Sequence, residues 1–293
     1  MKATFFSNLR TGKRAPKAES GYKKKTRARY AAIFIVLMIL TCAIGPLLLP
    51  FTDTQIDILS RLQGPACCTH IAGTDELGRD MVARLLSAGR ISLSIGVAAM
   101  AMSVVIGVTL GLIAGFYGGA IGSTIMRFVD VALCFPNVFL MLTLSALLTP
   151  NVIALVALIA CTSWMEIARV VQAQVSSLRN AEFVLASRAV GCKDRHILSK
   201  VLLPNTVPTI LVAAILNVAH AILAESYVSF LGYGVQPPTP SWGNMLNTAQ
   251  GYLDSAPWLA ILPGALITVT VLSFHFLGEG ILDLFDVRSR TRR

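Results

Sequence analysis

Charged residues are scarce in this sequence and are absent from long parts of it. Only 14% of the 293 residues are Asp, Glu, Lys or Arg, whereas about a quarter of the residues are charged in a typical soluble domain. Uncharged runs occupy residues 30–52, 91–126, 131–165, 201–224, 226–253 and 255–278. Because an apolar run of about 18 residues or more can cross a bilayer as a helix, we interpret the chain as an all-α membrane protein. This interpretation excludes a soluble enzyme and a soluble DNA-binding protein.

Motifs for catalysis and for metal binding are also absent. The apolar runs contain no pair of aspartates and no His-Glu-x-x-His motif, so an intramembrane enzyme is not indicated. The six cysteines lack the spacing of a zinc site, and only the adjacent Cys67-Cys68 pair is expected to face an oxidising space. We therefore predict that the chain binds no metal and no cofactor of its own.

Six membrane-spanning helices account for the uncharged runs. They are predicted at about residues 30–49, 91–115, 131–148, 152–171, 207–232 and 258–278. The run 131–165 is too long for one helix, and Thr149-Pro150-Asn151 supplies a turn that divides it. In the second span, Gly107, Gly111 and Gly115 recur every four residues, a pattern that permits close packing against another helix.

The basic residues predict the orientation of these spans. If the N-terminal tail, residues 1–29, lies in the cytoplasm, all but four of the 25 Lys and Arg residues lie on the cytoplasmic side. The exceptions are Arg61, Arg79, Arg84 and Arg90. By the positive-inside rule we expect both termini in the cytoplasm, where the basic segments contact membrane lipid. No aromatic residues are interleaved with the basic ones as a base-stacking surface requires, so nucleic acid is not an expected partner.

The predicted cytoplasmic loop at residues 172–206 is much longer than the roughly 2–8 residues that join helices in a bundle. Within it, Phe183, Ala186 and Val190 share one face of a short helix, and Gly191 is placed to cap the end of that helix. A second short helix is expected to stop at Leu203-Pro204. An exposed apolar face of this kind favours docking of a partner protein, although a solvated connector is the alternative.

Two further segments lie on the predicted outer side. In the segment 73–80, Gly-Thr-Asp-Glu-Leu-Gly-Arg-Asp, Thr74 is expected to cap an interfacial helix with Asp75 and Glu76 in its first turn. The acidic residues lack the spacing of an EF-hand, so they do not predict a metal site. The proline-rich segment 236–240 predicts a stiff extended loop.

Glu225 is the one acidic residue deep within a predicted span. A charge at the centre of a membrane helix costs about 3 kcal/mol, and less away from the centre. Glu225 is therefore expected to be paired or to face a cavity. Arg90, at the outer end of the second span, is the candidate partner for an ion pair, and direct contact with a transported substrate is the alternative.

Three of these segments, in order along six spans, resemble motifs of one transporter family. They are the 73–80 segment, the cytoplasmic loop, and residues 229–246, which begin Ser-Phe-Leu-Gly. The loop is similar to the "EAA" loop of binding-protein-dependent ABC importers, although Leu185 replaces its Glu and Val201 its Ile. The chain as a whole resembles the second, C-type permease subunit of the dipeptide, oligopeptide and nickel importers over everything but its first 30 residues.

This resemblance implies a type I ABC importer permease fold in residues 30–293, in the bacterial cytoplasmic (inner) membrane. A homologous permease would complete a heterodimer that forms the path for peptides, nickel or another small solute, and an extracytoplasmic solute-binding protein would deliver the substrate. Two cytoplasmic ABC ATPases would dock on the loop. The coupling residues implied by the resemblance are Phe183, Leu185, Ala186, Ser187, Val190, Gly191, Val201, Leu203 and Pro204.

Nucleotide chemistry is expected to come from those partners. The sequence contains no Gly-x-x-x-x-Gly-Lys-Ser/Thr loop, so ATP and Mg would be bound by the ATPase subunits and this chain would not be an enzyme. A secondary transporter driven by an ion gradient is the alternative. Such transporters place several ionisable residues and broken helices at the midplane, whereas here Glu225 is off-centre and Pro136 and Pro263 are isolated.

Overall fold

The computed structural model describes residues 17–65, 70–149 and 151–291, with the side chains of residues 26–65, 70–149 and 151–285. The Cys67-Cys68 pair, Pro150 and most of the basic N-terminal tail therefore lie outside the described side chains.

Ten α-helices form in the described residues. They are α1 (Lys17–Leu48), α2 (Met81–Tyr117), α3 (Gly119–Leu133), α4 (Asn137–Leu147), α5 (Val152–Leu178), α6 (Glu182–Ala189), α7 (Asp194–His196), α8 (Leu203–Phe230), α9 (Trp242–Ala249) and α10 (Trp258–Thr291). A π-helical stretch, Ile197–Leu202, joins α7 to α8. Within the described part of the chain, five helical segments are long and apolar enough to cross a membrane, and there are six if α3 and α4 together count as one span.

The third predicted span, 131–148, is wrong as a single straight helix. It consists of α3 and α4, which meet at an angle of 81°. The helix bends there because α3 ends at Leu133 and Pro136, which has no N–H to continue a helix, forms the N-cap of α4. The prediction also missed the start of α3, because it was based on the uncharged run that begins at residue 131. Asp130 lies within this helix and is paired with Arg169 of α5.

The ends of the other spans also differ from the prediction. Helix α2 starts at Met81 rather than at 91, since the Asp80 side chain caps it by accepting a hydrogen bond from the Ala83 N–H at 2.8 Å. Leu203-Pro204 does not stop a helix but opens α8. Proline is tolerated in the first helical turn, and the π-helical stretch leads directly into it. Helix α10 continues past 278 to Thr291.

The glycine stripe of α2 lies against α5, as predicted. A Cβ added at Gly107 would be 2.7 Å from the carbonyl oxygen of Trp164, and one at Gly115 would be 2.8 Å from that of Gln172. No side chain other than hydrogen fits there, so the two backbones approach closely. Residue numbers rise together along this contact, so α2 and α5 are parallel, and α3 with α4 must return the chain from one end of the bundle to the other.

The remaining contacts define two ends of the bundle. The inner end contains Tyr117 and the loop 179–202, and the outer end contains residues 52–65, residues 70–80 and α9. Helices α1 and α8 run antiparallel to α2, as shown by the contacts of Gly45 with Leu86 and of Gly96 with Ile222. The last described side chain, Phe285, lines one cavity with Pro208 near the start of α8. The start of α1 and the end of α10 therefore lie at the inner end, together with the long loop.

Candidate functional site

An apolar patch is exposed on α6 at the inner end. We call it the coupling surface and define it by Phe183, Leu185, Ala186 and Val190. The side chains of Phe183, Leu185 and Val190 are 41%, 48% and 85% exposed, and Ala186 is exposed as well. The sequence predicted the shared apolar face of Phe183, Ala186 and Val190, because spacing along one short helix is local information, whereas Leu185 was expected here only from the family resemblance.

The opposite face of α6 is packed into the bundle. Val184 has no exposed surface, and it lies in one cluster with Ile197, Leu202 and the end of α2 at Phe116. Val201 packs against the same cluster. Of the predicted coupling residues, Val201 therefore supports α6 from within, and Leu203 is half-buried, whereas Ser187 donates a 2.8 Å hydrogen bond to the Phe183 carbonyl oxygen.

Gly191 ends α6 as predicted. Its φ is +81°, a backbone conformation that suits glycine. The N–H of Gly191 donates to the Arg188 carbonyl at 2.9 Å, and the N–H of Cys192 donates to the Ser187 carbonyl at 3.1 Å. These two bonds form a Schellman motif, which fixes the direction in which the chain leaves α6.

Two arginines connect the long loop to the inner end of α2. The Arg188 guanidinium lies 5.0 Å from the centroid of the Phe116 ring, within the range of a cation–π contact. Arg179, at the end of α5, lies against Gly118, where an added Cβ would come within 2.1 Å of Nη1. Helix α2 has 37 residues and at 1.5 Å per residue extends about 55 Å. The coupling surface is thus joined to a single helix that reaches the outer end.

At the outer end, the acidic residues of the 73–80 segment form a buried ion-pair network. Asp75, with a side chain only 3% exposed, accepts from Arg79 Nε at 2.6 Å and from Arg84 Nη1. Arg79 also reaches Glu76 at 2.7 Å. Burial raises the pKa of Asp75, but Arg84, the backbone N–H groups of Arg79 and Leu77, and the Arg79 charge outweigh burial, so the pKa lies below its ordinary value.

The predicted helix cap at Thr74 is wrong. Asp75 accepts hydrogen bonds from the N–H groups of Leu77 and Arg79, both at 2.8 Å, which folds residues 75–79 into a turn instead of a helix. The Thr74 hydroxyl accepts from the Gln63 N–H at 2.8 Å, and its carbonyl oxygen accepts from Trp258 Nε1 at 3.3 Å. Thr74 therefore holds the outer loop against α10.

Glu225 lies in a second set of buried polar side chains at the outer end. We call it the serine cluster and define it by Glu225, Ser92 and Ser229. The Glu225 carboxylate has no exposed surface. It accepts from Ser92 Oγ at 2.8 Å and from Ser229 Oγ at 2.7 Å. Ser92 in turn accepts from the Trp242 N–H at 3.2 Å, and Ser229 accepts from the Val235 N–H at 3.1 Å. Through two serines, Glu225 thus holds the middle of the loop between α8 and α9, at Val235, and the start of α9, at Trp242.

The predicted ion pair between Glu225 and Arg90 is wrong. Among the described residues Glu225 is bonded to hydroxyl groups, and Arg90 is exposed and lines an outer cavity that also contains Asp53. Substrate contact stays the alternative prediction for Glu225, whose side chain is fully buried within this chain. Ser229 follows Glu225 by four residues on the same helix and could have been inferred from that spacing. Ser92 and Asp53 had no local signal.

The sequence of the chain and its fold are both similar to those of known membrane transport proteins. Residues 107–291 match the family model described as "binding-protein-dependent transport system inner membrane component". The dipeptide transport system permease protein DppC of Alkalihalophilus pseudofirmus is 37% identical over 92% of this chain and 88% of its own length. The oligopeptide transport system permease protein OppC of Haemophilus influenzae is 34% identical over 93% of this chain and 88% of its own length.

Among solved structures, the chain is similar to the methionine ABC transporter MetNI in an inward-facing crystal form. The TM-score is 0.58 at 20% sequence identity, and the match covers 69% of this chain and 96% of the other. This likeness concerns the fold, and it confirms the helical architecture predicted for the membrane domain.

Proposed function

The chain belongs to the family of binding-protein-dependent transport system inner membrane components, and we propose that it forms part of a path for peptides across the bacterial cytoplasmic membrane. As a member of this family it is a permease subunit of an ABC importer and not an enzyme, because separate subunits hydrolyse ATP. Relatives named for dipeptides and for oligopeptides support a peptide substrate over nickel.

We further propose that the inner end lies in the cytoplasm. The described chain ends and the long loop meet there, and these segments together with the terminal tails carry all but six of the Lys and Arg residues. Two of the six, Arg127 and Arg169, lie within α3 and α5. The other four are Arg61, Arg79, Arg84 and Arg90. With that orientation, a homologous permease and membrane lipid surround the spans, and a solute-binding protein approaches the outer end.

The coupling surface is the observation that carries the role of the inner end. Apolar side chains exposed on a helix whose other face is fixed require a partner that covers them. Two ABC ATPase subunits, which bind ATP and Mg, are the partners that the family implies. When they approach each other, α6 moves with them, and its contact with Phe116 transfers the movement to α2 as a nearly rigid body.

Co-purification tests this docking role. We expect Phe183→Asp or Ala186→Asp to reduce the yield of ATPase with the tagged chain by about thirtyfold, the loss typical of an interface hot spot worth about 2 kcal/mol. The matched control is Ser177→Asp, which places the same charge at an exposed position near the end of α5. Docking at this surface would be contradicted if the control lowered the ATPase yield as much as the two variants do. It would also be contradicted if neither variant lowered the yield.

The source of energy is tested separately. We expect peptide uptake by the reconstituted complex to require ATP and to be inhibited by vanadate, and to continue after an uncoupler has collapsed the ion gradients. Uptake that stops with the uncoupler and ignores vanadate would instead identify the ion-gradient-driven transporter that the sequence left as an alternative.

A further inference from the structure

Two opposite charges share a cavity at the outer end without pairing. This outer cavity has a volume of about 470 Å³ and lies between the end of α1, the start of α2 and the loop before α9. It is lined by Pro46, Asp53, Thr54, Ser87, Arg90, Ile91, Pro238, Thr239 and Pro240. Arg90 is exposed and Asp53 is half-buried, and among the described residues neither forms an ion pair.

Arg90 differs in this respect from the other arginines of the outer end. Arg79 and Arg84 are held by Asp75 and Glu76. Arg61 contacts Tyr252, donating to its hydroxyl at 3.3 Å. Arg90 is therefore an outer guanidinium for which the described residues provide no bonded partner, and it faces a cavity.

One wall of the outer cavity, the loop before α9, is held in place by buried groups. Thr239, in the proline-rich wall, accepts a 2.8 Å hydrogen bond from Asn244 Nδ2 at the start of α9. The same end of α9 is attached to α2 through the Trp242 N–H and Ser92 Oγ, and so to Glu225. A wall that is held in place before a ligand arrives reduces the cost of ordering it on binding.

A carboxylate and a guanidinium that face one cavity but do not pair match a ligand that carries an ammonium group and a carboxylate of its own. A short peptide is such a zwitterion. Guanidinium groups bind carboxylates with two parallel hydrogen bonds, and the cavity volume lies within the range of about 300–1,000 Å³ that is usual for small-molecule sites.

We propose that the outer cavity is an entry site for peptide termini, in which Arg90 binds the C-terminal carboxylate and Asp53 binds the N-terminal ammonium group. Thr54 and Ser87 also line the cavity. This assignment rests on the proposed transport of peptides and adds a location and a recognition chemistry to it. The outer serine cluster then acts as a support for the site rather than as a ligand.

The test combines each variant with a peptide that lacks the terminal group that the replaced residue should bind. The complete importer, with its partner permease, ATPases and binding protein, is reconstituted in phosphatidylglycerol vesicles, and uptake of dialanine per ATP hydrolysed is measured. Arg90→Gln should lower uptake of dialanine about tenfold, as for a lost charge-assisted hydrogen bond, and leave uptake of dialanine amide unchanged. Asp53→Asn should behave in the same way with dialanine and N-acetyl-dialanine.

The binding protein's own preference cancels in this comparison, because it is identical for the wild-type and variant complexes. Saturation-transfer NMR of the same peptides on the complex in nanodiscs, without binding protein, gives a second readout if a blocked peptide is not delivered. Arg61→Gln and Asp254→Asn are matched controls, since both residues are exposed at the outer end but lie outside the cavity.

The outcomes separate the two proposals. If the wild-type importer does not take up dialanine or any other peptide, both proposals fail. If peptides are transported but Arg90→Gln affects free and amidated dialanine equally, only the entry site is overturned. An Arg90→Gln effect that appears only when phosphatidylethanolamine is present, and that is the same for both peptides, would assign the cavity to a lipid headgroup and would also overturn it.

Discussion

The two ends of the bundle differ in how their side chains are arranged. At the outer end, Asp75 neutralises two arginines, and Glu225 is enclosed by serines that hold the loop before α9. At the inner end, α6 is fixed by Val184 yet leaves Phe183 and Val190 exposed. The buried polar groups of the outer end are therefore bonded within this chain, whereas α6 at the inner end is packed on one face and leaves apolar side chains exposed on the other.

Removal of Asp75 should give the largest effect. Asp75→Ala leaves Arg79 and Arg84 buried without their main counter-charge, and loss of one partner of a buried pair costs about 3–5 kcal/mol. We expect a large drop in the thermal unfolding temperature of the solubilised complex and rapid proteolysis of the 52–80 segment. Asp254→Ala, at an exposed position of the same end, should leave both unchanged.

The pH dependence of stability provides a control on that result. Because the pKa of Asp75 is lower in the folded chain than its ordinary value of about 3.9, the carboxylate stabilises the fold at pH values above that ordinary value. This stabilisation is lost as the pH falls through the lowered pKa. Asp75→Ala should remove that acid-induced loss of stability. An unchanged acid profile in the variant would contradict the assignment of the network.

Glu225 provides a second way to weaken the outer end without touching the inner one. Glu225→Leu leaves the Ser92 and Ser229 hydroxyls buried without their acceptor, at a cost of about 1–3 kcal/mol for each unsatisfied group. We expect the loop 231–241 to become accessible to protease while ATPase still co-purifies at full yield.

Glu225→Gln is the matched variant, because it keeps the shape and one accepting oxygen, and its effect should be smaller. Loss of ATPase binding in Glu225→Leu would show that the two ends are not independent. Equal effects of Leu and Gln would contradict the bonding through the two serines.

The outer end was also the part that the sequence predicted less well. The coupling surface and the Gly191 cap follow from the spacing of residues within one short helix. Ser92 is remote in sequence from Glu225, and no local pattern indicates that they meet. At Asp75, helix-capping rules predicted a helix, but this carboxylate bonds the N–H groups two and four residues ahead and forms a turn.

At the inner end, Gly191→Ala should have a smaller effect than the Asp75 and Glu225 variants. It changes the backbone shape at the end of α6 without removing a side-chain contact. Apart from its chain neighbours, no described residue has an atom within 4 Å of a Cβ added at Gly191, so the cost comes from the left-handed φ of +81°, about 1–2 kcal/mol. We expect reduced coupling of ATP hydrolysis to uptake, measured in vesicles, with normal membrane insertion. Gly251→Ala is the control, because Gly251 also has open space and no such φ. Equal behaviour of the two variants would contradict a role for the cap.

Arg188→Gln should give the smallest effect. It also best distinguishes docking of the ATPases from transfer of movement between α6 and α2. The cation–π contact with Phe116 is worth about 0.5–1 kcal/mol at an exposed site, and Arg188 lies outside the coupling surface as defined here. The ATPases should therefore co-purify at full yield, while uptake per ATP hydrolysed falls a few-fold because α6 transfers less of its movement to α2. Arg188→Lys should restore part of the coupling, since it keeps a cation near the ring. If Arg188→Gln instead reduces ATPase binding and leaves the uptake per ATP of the remaining complex unchanged, Arg188 belongs to the docking interface, and α2 must receive its movement through the packing of Val184 alone.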